Sequence, residues 1–265
     1  MRLDPPRLVR DGASPSLAGP APLPGPSVAA AGIRVVGLSK RFGAVQALDG
    51  VDLEVQKGRV TAVLGKNGAG KTTLIRILST AVVPDSGHAW IEDVDVARDP
   101  VTARRQVGVV LGEDRSFFWR LSGRQNLEFF AALRGLRRGE ARRAADEALA
   151  AVELSAVSDR RVDRYSSGMR SRLGIGRALL GSPSVLLLDE PTRSLDPAVS
   201  CEIREVLRSL AEERGVAVFL ATHDLHEAAA LAAQAVVLER GKVAARLDGN
   251  TDATTLEELF VEPRR

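Results

Sequence analysis

The chain has 265 residues, 45% hydrophobic and 27% charged, with a formal net charge of +3 and a pI near 9.4. It is long enough to bury one large core or two small ones, and it contains no run of about 18 apolar residues, which excludes a membrane-spanning helix. The single cysteine, Cys201, excludes an intramolecular disulfide and a cysteine metal cage, and the basic residues are scattered among acids, so no nucleic-acid partner is expected.

Residues 1–32 are rich in Pro, Ala, Gly and Ser without a periodic apolar face, and are expected to form a disordered tail. They lack the apolar segment of a secretory signal, so residence in the cytoplasm is expected. From Ile33 the pattern changes to short β-branched runs: IRVVGL, VDLEV, RVTAVL, VGVVL, VLLLD, VAVFLAT and AVVLE. Several read as strands buried on both faces. Helical patterns lie between them. From Pro197 to Glu213, Val199, Ile203, Val206, Leu207 and Leu210 fall on one helix face. The section from Arg124 to Val157 holds NLEFFAALRGL and EARRAADEALAAVEL and no strand run, which predicts a helical insert within about residues 113–175. Strands alternating with helices predict a doubly wound α/β core.

The first chemical motif follows RVTAVL and precedes the helical TLIRILS. Gly65, Lys66, Asn67, Gly68, Ala69, Gly70, Lys71 and Thr72, with Thr73 after them, match the pattern G-x-x-x-x-G-K-[ST] in its strand, loop and helix setting. The glycines let successive N–H groups and a helix N-terminus face phosphate oxygens. Lys71 then meets the β and γ phosphates, and the Thr72 hydroxyl ligates Mg²⁺. In SVLLLDEP an apolar strand ends in two carboxylates. Asp189 would hold Mg²⁺ through water and Glu190 would orient or deprotonate the attacking water, although either could instead be a solvated strand end or a helix cap. His223, after the buried run VAVFLAT, is expected beside the γ phosphate in the company of these two motifs, and as a structural histidine otherwise.

GKNGAGKTT, YSSGM, LLLDEPTRSLD and ATHD, in that order, resemble the ATP-binding subunits of ABC transporters over nearly everything from Ile33 onward. The resemblance implies a P-loop NTPase core with an antiparallel β subdomain and a helical subdomain across residues 33–265. It also implies ATP and Mg²⁺ as ligands, and a second ATP-binding subunit, identical or related, whose site the signature closes over. Ser166 matches the signature serine and Gly168 its second glycine, while Ser167 stands where the first glycine does and Met169 where the glutamine does. This YSxGM form resembles the exporter-like ABC-2 branch. YSSG also serves as the N-cap of the helix that follows it. Asp196 matches the loop that crosses the interface between subunits. Phe42 matches the aromatic residue that stacks on adenine, with a core role the alternative.

The family glutamine after the VGVVL strand is missing here, and Glu113 is the nearest match, with a changed charge. The following SFFWRL reads either as a socket for a membrane permease subunit or as packing for the insert. The resemblance thus implies an ATPase on the cytoplasmic face of a membrane, coupled to separate permease subunits and working in export. An ABC-type ATPase acting on nucleic acid or ribosomes would share the motifs, as would a binding module with a dead site. The cargo is not encoded in these residues.

Overall fold

The computed structural model of the chain describes residues 31–112, 116–193 and 195–249. The expected tail therefore lies outside the described residues up to position 30. Its last two residues do not: the first strand, β1 (Ala31–Phe42), begins there. Gly32 packs so closely on β8 that a Cβ at that position would meet Ala217 Cβ at 2.4 Å.

Two sheets form the molecule. β1 pairs antiparallel with β2 (Val45–Gln56) and with β4 (Ser86–Ile91), which carries the two-residue β5 (Val94–Asp95) at the edge. The larger sheet runs in the order β10 (Lys242–Asp248), β9 (Gln234–Glu239), β3 (Val60–Leu64), β8 (Ala217–Thr222), β7 (Val185–Asp189) and β6 (Val107–Leu111). All its pairings are parallel except that of β10 with β9. Every residue of β3 and β8 is buried, as their unbroken apolar runs require for strands covered on both faces. The sequence runs did not mark β4, β5 or β10. SGHAWI and KVAARLD mix polar, small and apolar residues on half-exposed strands, so no unbroken apolar run announces them.

Seven helices connect the strands of the described residues: α1 (Lys71–Leu78), α2 (Pro100–Arg105), α3 (Gly123–Leu133), α4 (Arg138–Ala151), α5 (Ser167–Leu179), α6 (Pro197–Glu212) and α7 (Leu225–Leu231). Strand alternation divides the core. Leu187 and Phe219 face α1 and the small sheet, with Ile33, Val35, Leu74 and Ile75. Leu186, Leu188, Val218 and Leu220 face the other way, onto α5, α6 and the helices of the insert. Each fully buried Leu, Ile or Phe contributes about 1.5–3 kcal/mol, so the two layers hold the strand ends rigidly. The C-terminal ends of β3, β7 and β8 thereby open onto one edge, where ligands bind in sheets of this kind. α6 forms over the residues expected, with Ile203, Val206, Leu207 and Leu210 buried. The stretch between β6 and β7 holds no strand among its described residues; it carries α3, α4, α5 and two short 3-10 turns joined by loops, with one isolated bridge between Ser122 and Arg161.

Candidate functional site

The glycine-rich loop joins β3 to α1. Its last residue, Gly70, is the N-cap at φ 112°, in the left-handed region, and supplies no side chain to the first-turn N–H groups. Glycine is needed there twice over, because a Cβ would also sit 2.5 Å from the Ala47 carbonyl oxygen. The result is a helix N-terminus left open to an anion. Turns hold the loop in place: Ala69 N–H donates to the Lys66 carbonyl, and Gly241 N–H donates to the Ala69 carbonyl. The Lys71 ammonium folds inward and donates to the Gly65 carbonyl at 2.5 Å. Burial lowers its pKa from the usual lysine range, while the negative charges of Glu190 and Asp189 act in the opposite direction.

A cavity of about 330 Å³ lies over this loop, within the size range of small-molecule sites. Phe42 and Val45 wall it on the small-sheet side, Lys66 to Thr73 form its base, and Asp189 and Glu190 stand opposite. The structure thus brings together Lys66 to Thr73, Phe42 and both carboxylates, while Gly65 does not line the cavity and instead accepts from Lys71. Phe42 is exposed, with the Lys40 ammonium 5.4 Å from its ring centre. That excludes the core alternative for Phe42.

Across the cavity mouth the Thr72 hydroxyl donates to Asp189 Oδ2 at 2.7 Å. A hydroxyl and a carboxylate beside phosphate-binding N–H groups are hard oxygen donors of the kind Mg²⁺ takes when phosphates complete its shell. The described residues contain no cluster of three His, Cys, Asp or Glu side chains suited to a metal. Glu190 sits one residue further on, past the end of β7, at φ 51°. This strained backbone turns its side chain out of the strand direction. Its Oε1 lies 2.8 Å from His223 Nδ1, and its buried Oε2 lacks a hydrogen-bond donor among the described residues, with an Arg193 guanidinium nitrogen at 3.3 Å. A carboxylate oxygen held only by this ion pair among the described residues, with no hydrogen bond, keeps a lone pair that can receive a proton from water.

Ser166, Ser167, Gly168 and Asp196 do not line this cavity. Ser166 is the N-cap of α5 and accepts from Met169 N–H at 3.1 Å, so the cap reading of YSSG holds. Gly168 is packed tightly against α6, where a Cβ would meet Val199 Cγ1 at 2.4 Å. Asp196 is the N-cap residue of α6, with no side-chain cap bond. Glu113 lies outside the described residues. Cys201 is exposed on α6.

Sequence reading missed three residues around the carboxylates. Arg193 approaches Glu190, and Thr192 donates to Glu227, a carboxyl buried in α7. A glutamate beside Ala228 on the buried stripe of LHEAAAL is the one signal that would have pointed to this pair.

Residues 48–193 match the family described as ABC transporter. The daunorubicin resistance ATP-binding protein DrrA3 of Streptomyces coeruleorubidus is 43% identical over 85% of this chain and 70% of its own length. The structure of cbiO1 from Clostridium perfringens, part of the transporter complex cbiONQ, superposes with a TM-score of 0.78 at 29% identity over 86% of this chain and 92% of that one. The dimeric post-hydrolysis cassette MJ0796, bound to ADP and Pi, superposes with a TM-score of 0.69 at 26% identity, over 82% and 98% of the two chains.

Proposed function

The chain belongs to the ABC transporter family as an ATP-binding subunit that hydrolyses ATP, and from that premise we propose that two cassettes clamp two ATP molecules between them to drive export through separate membrane subunits. Adenine stacks on Phe42, and the phosphates lie over the loop and the open N-terminus of α1. Lys71 neutralises charge on the β and γ phosphates. Thr72 and Asp189 hold Mg²⁺, which stabilises charge on the phosphate oxygens when bound. Glu190 takes the proton of the attacking water. His223 donates through Nδ1 to Glu190 and holds that carboxylate toward the γ phosphate. The partner's copy of Ser166–Gly168 presents a hydroxyl and helix N–H groups from the opposite side.

The helical insert carries the motion to the membrane subunits on the cytoplasmic face. Phe118, Trp119 and Phe129 are exposed together, with Phe118 and Phe129 edge to face at 4.8 Å. Asn126 secures the backbone behind them, its Oδ1 accepting from Phe118 N–H at 2.8 Å and its Nδ2 donating to the Phe118 carbonyl at 3.1 Å. An aromatic rim on a rigid support suits an inserted permease segment better than solvent. The resistance protein DrrA3 among the relatives supports the export direction.

The observation that carries this reading is the meeting of Thr72 with Asp189, one residue from the Glu190–His223 pair, at the mouth of the loop cavity. Light scattering of the Glu190→Gln protein tests it: ATP with Mg²⁺ should convert monomers to dimers. A protein that stays monomeric at saturating ATP would refute the paired-site reading.

A further inference from the structure

A second cavity, about 490 Å³, shares Glu190 with the first and lies between α7 and the loop that runs from Glu190 to Asp196. Its wall includes a carboxyl group that the reaction above does not use. Glu227 is 1% exposed in the first turn of α7. Burial raises its pKa above the usual carboxylate range, and hydrogen bonds from the Thr192 and Thr222 side chains act against that rise.

A carboxyl so placed is costly unless it is hydrogen-bonded, and one of its partners comes from the facing loop. The Thr192 hydroxyl donates to Glu227 Oε1 at 2.6 Å. The loop bearing Thr192 otherwise bonds within itself at Arg193 N–H, to the Glu190 carbonyl, and at Leu195 N–H, to the Thr192 carbonyl. Two rungs therefore join the same two segments. Glu190 reaches His223, and two residues later Thr192 reaches Glu227, in the helix that follows His223. With Glu190 N–H already bonded to the Ala221 carbonyl, the second rung ties down the loop that leaves Glu190 and so limits how its side chain can turn.

We propose that Glu227 is a positioning residue which, through Thr192, holds Glu190 in register with His223 and sets the path of the loop leading to Asp196. This rests on the reading of Glu190 as the base. Neither Thr192 nor Glu227 lines the cavity over the glycine loop, so nucleotide binding should not depend on them.

The experiment compares Thr192→Val, Glu227→Leu, Glu227→Gln and the double variant Thr192→Val with Glu227→Leu, by steady-state ATP hydrolysis and by calorimetric ATP affinity. Thr192→Val and Glu227→Leu should each lower kcat about tenfold or more, the scale of a misdirected catalytic group, with KM and ATP affinity unchanged within about twofold. The double variant should be no worse than the more damaged single one. Glu227→Gln keeps an oxygen that accepts from Thr192 and should retain most of the activity. Additive losses, a Glu227→Gln protein as impaired as Glu227→Leu, or a Thr192→Val protein with normal kcat would each overturn the proposal. Should Glu227→Leu fail to fold, Thr192→Val and Glu227→Gln still decide it. An active Glu190→Gln protein would remove the base assignment and this proposal together, whereas a normal Thr192→Val protein beside an inactive Glu190→Gln protein removes this proposal alone.

Discussion

Glu190 and His223 meet at 2.8 Å, Oε1 to Nδ1, across 33 positions of sequence. The contact exists because β7 and β8 are parallel neighbours, with Asp189 opposite Ala221, so both strands deliver their next residues to one point. Glu190 N–H also donates to the Ala221 carbonyl at 2.8 Å, which extends the ladder one residue beyond the strand. Glu190→Gln should therefore keep its place and bind ATP, yet lose turnover by roughly 10²-fold to 10⁴-fold, the range for a lost general base. His223→Ala should lower kcat with ATP affinity intact. Single-turnover hydrolysis beside calorimetry checks both, and turnover by Glu190→Gln within a few-fold of the parent would end its assignment as base.

Lys71→Ala removes a cation that the inward fold of the loop has already placed beside the Gly65 carbonyl and within the field of Asp189 and Glu190. Lys66, the other cation of the loop, is exposed and does not share this buried position. ATP binding should weaken and hydrolysis should stop. Unchanged affinity by calorimetry would count against the phosphate site.

The role of Ser166–Gly168 across the dimer is best tested at Ser167. A substitution at Gly168 confuses two effects, since any Cβ there strikes Val199 within the same chain. Ser167 is exposed and begins α5. An aspartate at that position favours the helix dipole by about 0.3–1 kcal/mol, while it repels a nucleotide phosphate brought against it. Ser167→Asp should thus melt no lower than the parent, bind ATP as a monomer, and fail to dimerise or turn over. A normal ATP-driven dimer in scattering measurements would exclude the clamp.

Glu227 gives a pH dependence of defined sign. Its folded pKa is raised from 4.5 by burial, so the unfolded chain releases this proton first as pH rises. Stability is consequently lost between the ordinary carboxylate range and the raised folded value. Glu227→Gln cannot titrate. Its melting temperature relative to the parent should climb as pH increases through that window, and a constant difference across pH 4 to 8, roughly the span in which such a carboxyl titrates, would contradict the raised value.

Asn126→Leu should separate the permease surface from the ATP site. The substitution leaves the Phe118 N–H without its partner, at about 1–3 kcal/mol for an unpaired group, while the Phe118 carbonyl keeps the Leu121 N–H. Its aromatic rim should shift while ATP affinity persists. Loss of co-purification with the membrane subunits, at normal ATP binding, is the expected outcome.

The sequence by itself determined the groups whose chemistry is local. A glycine loop between a strand and a helix needs only neighbouring residues to build its anion site, so GKNGAGKTT was legible, as were the carboxylates that end VLLLD and the serine that caps α5. The long buried strands and the α6 face were legible because continuous burial and helical spacing write themselves into residue order. The strands β4, β5 and β10 were not, because a half-exposed strand is specified by its partner and not by its own composition. Only the tertiary structure decided which distant groups touch. It set Phe42 in solvent beside the loop instead of in the core, closed Gly168 against Val199, and joined Thr192 to a glutamate buried 35 positions away. Such pairs follow from the parallel register of β7 and β8 and from where each helix returns to the sheet. These distances are fixed by packing between segments, and residue order carries no record of them.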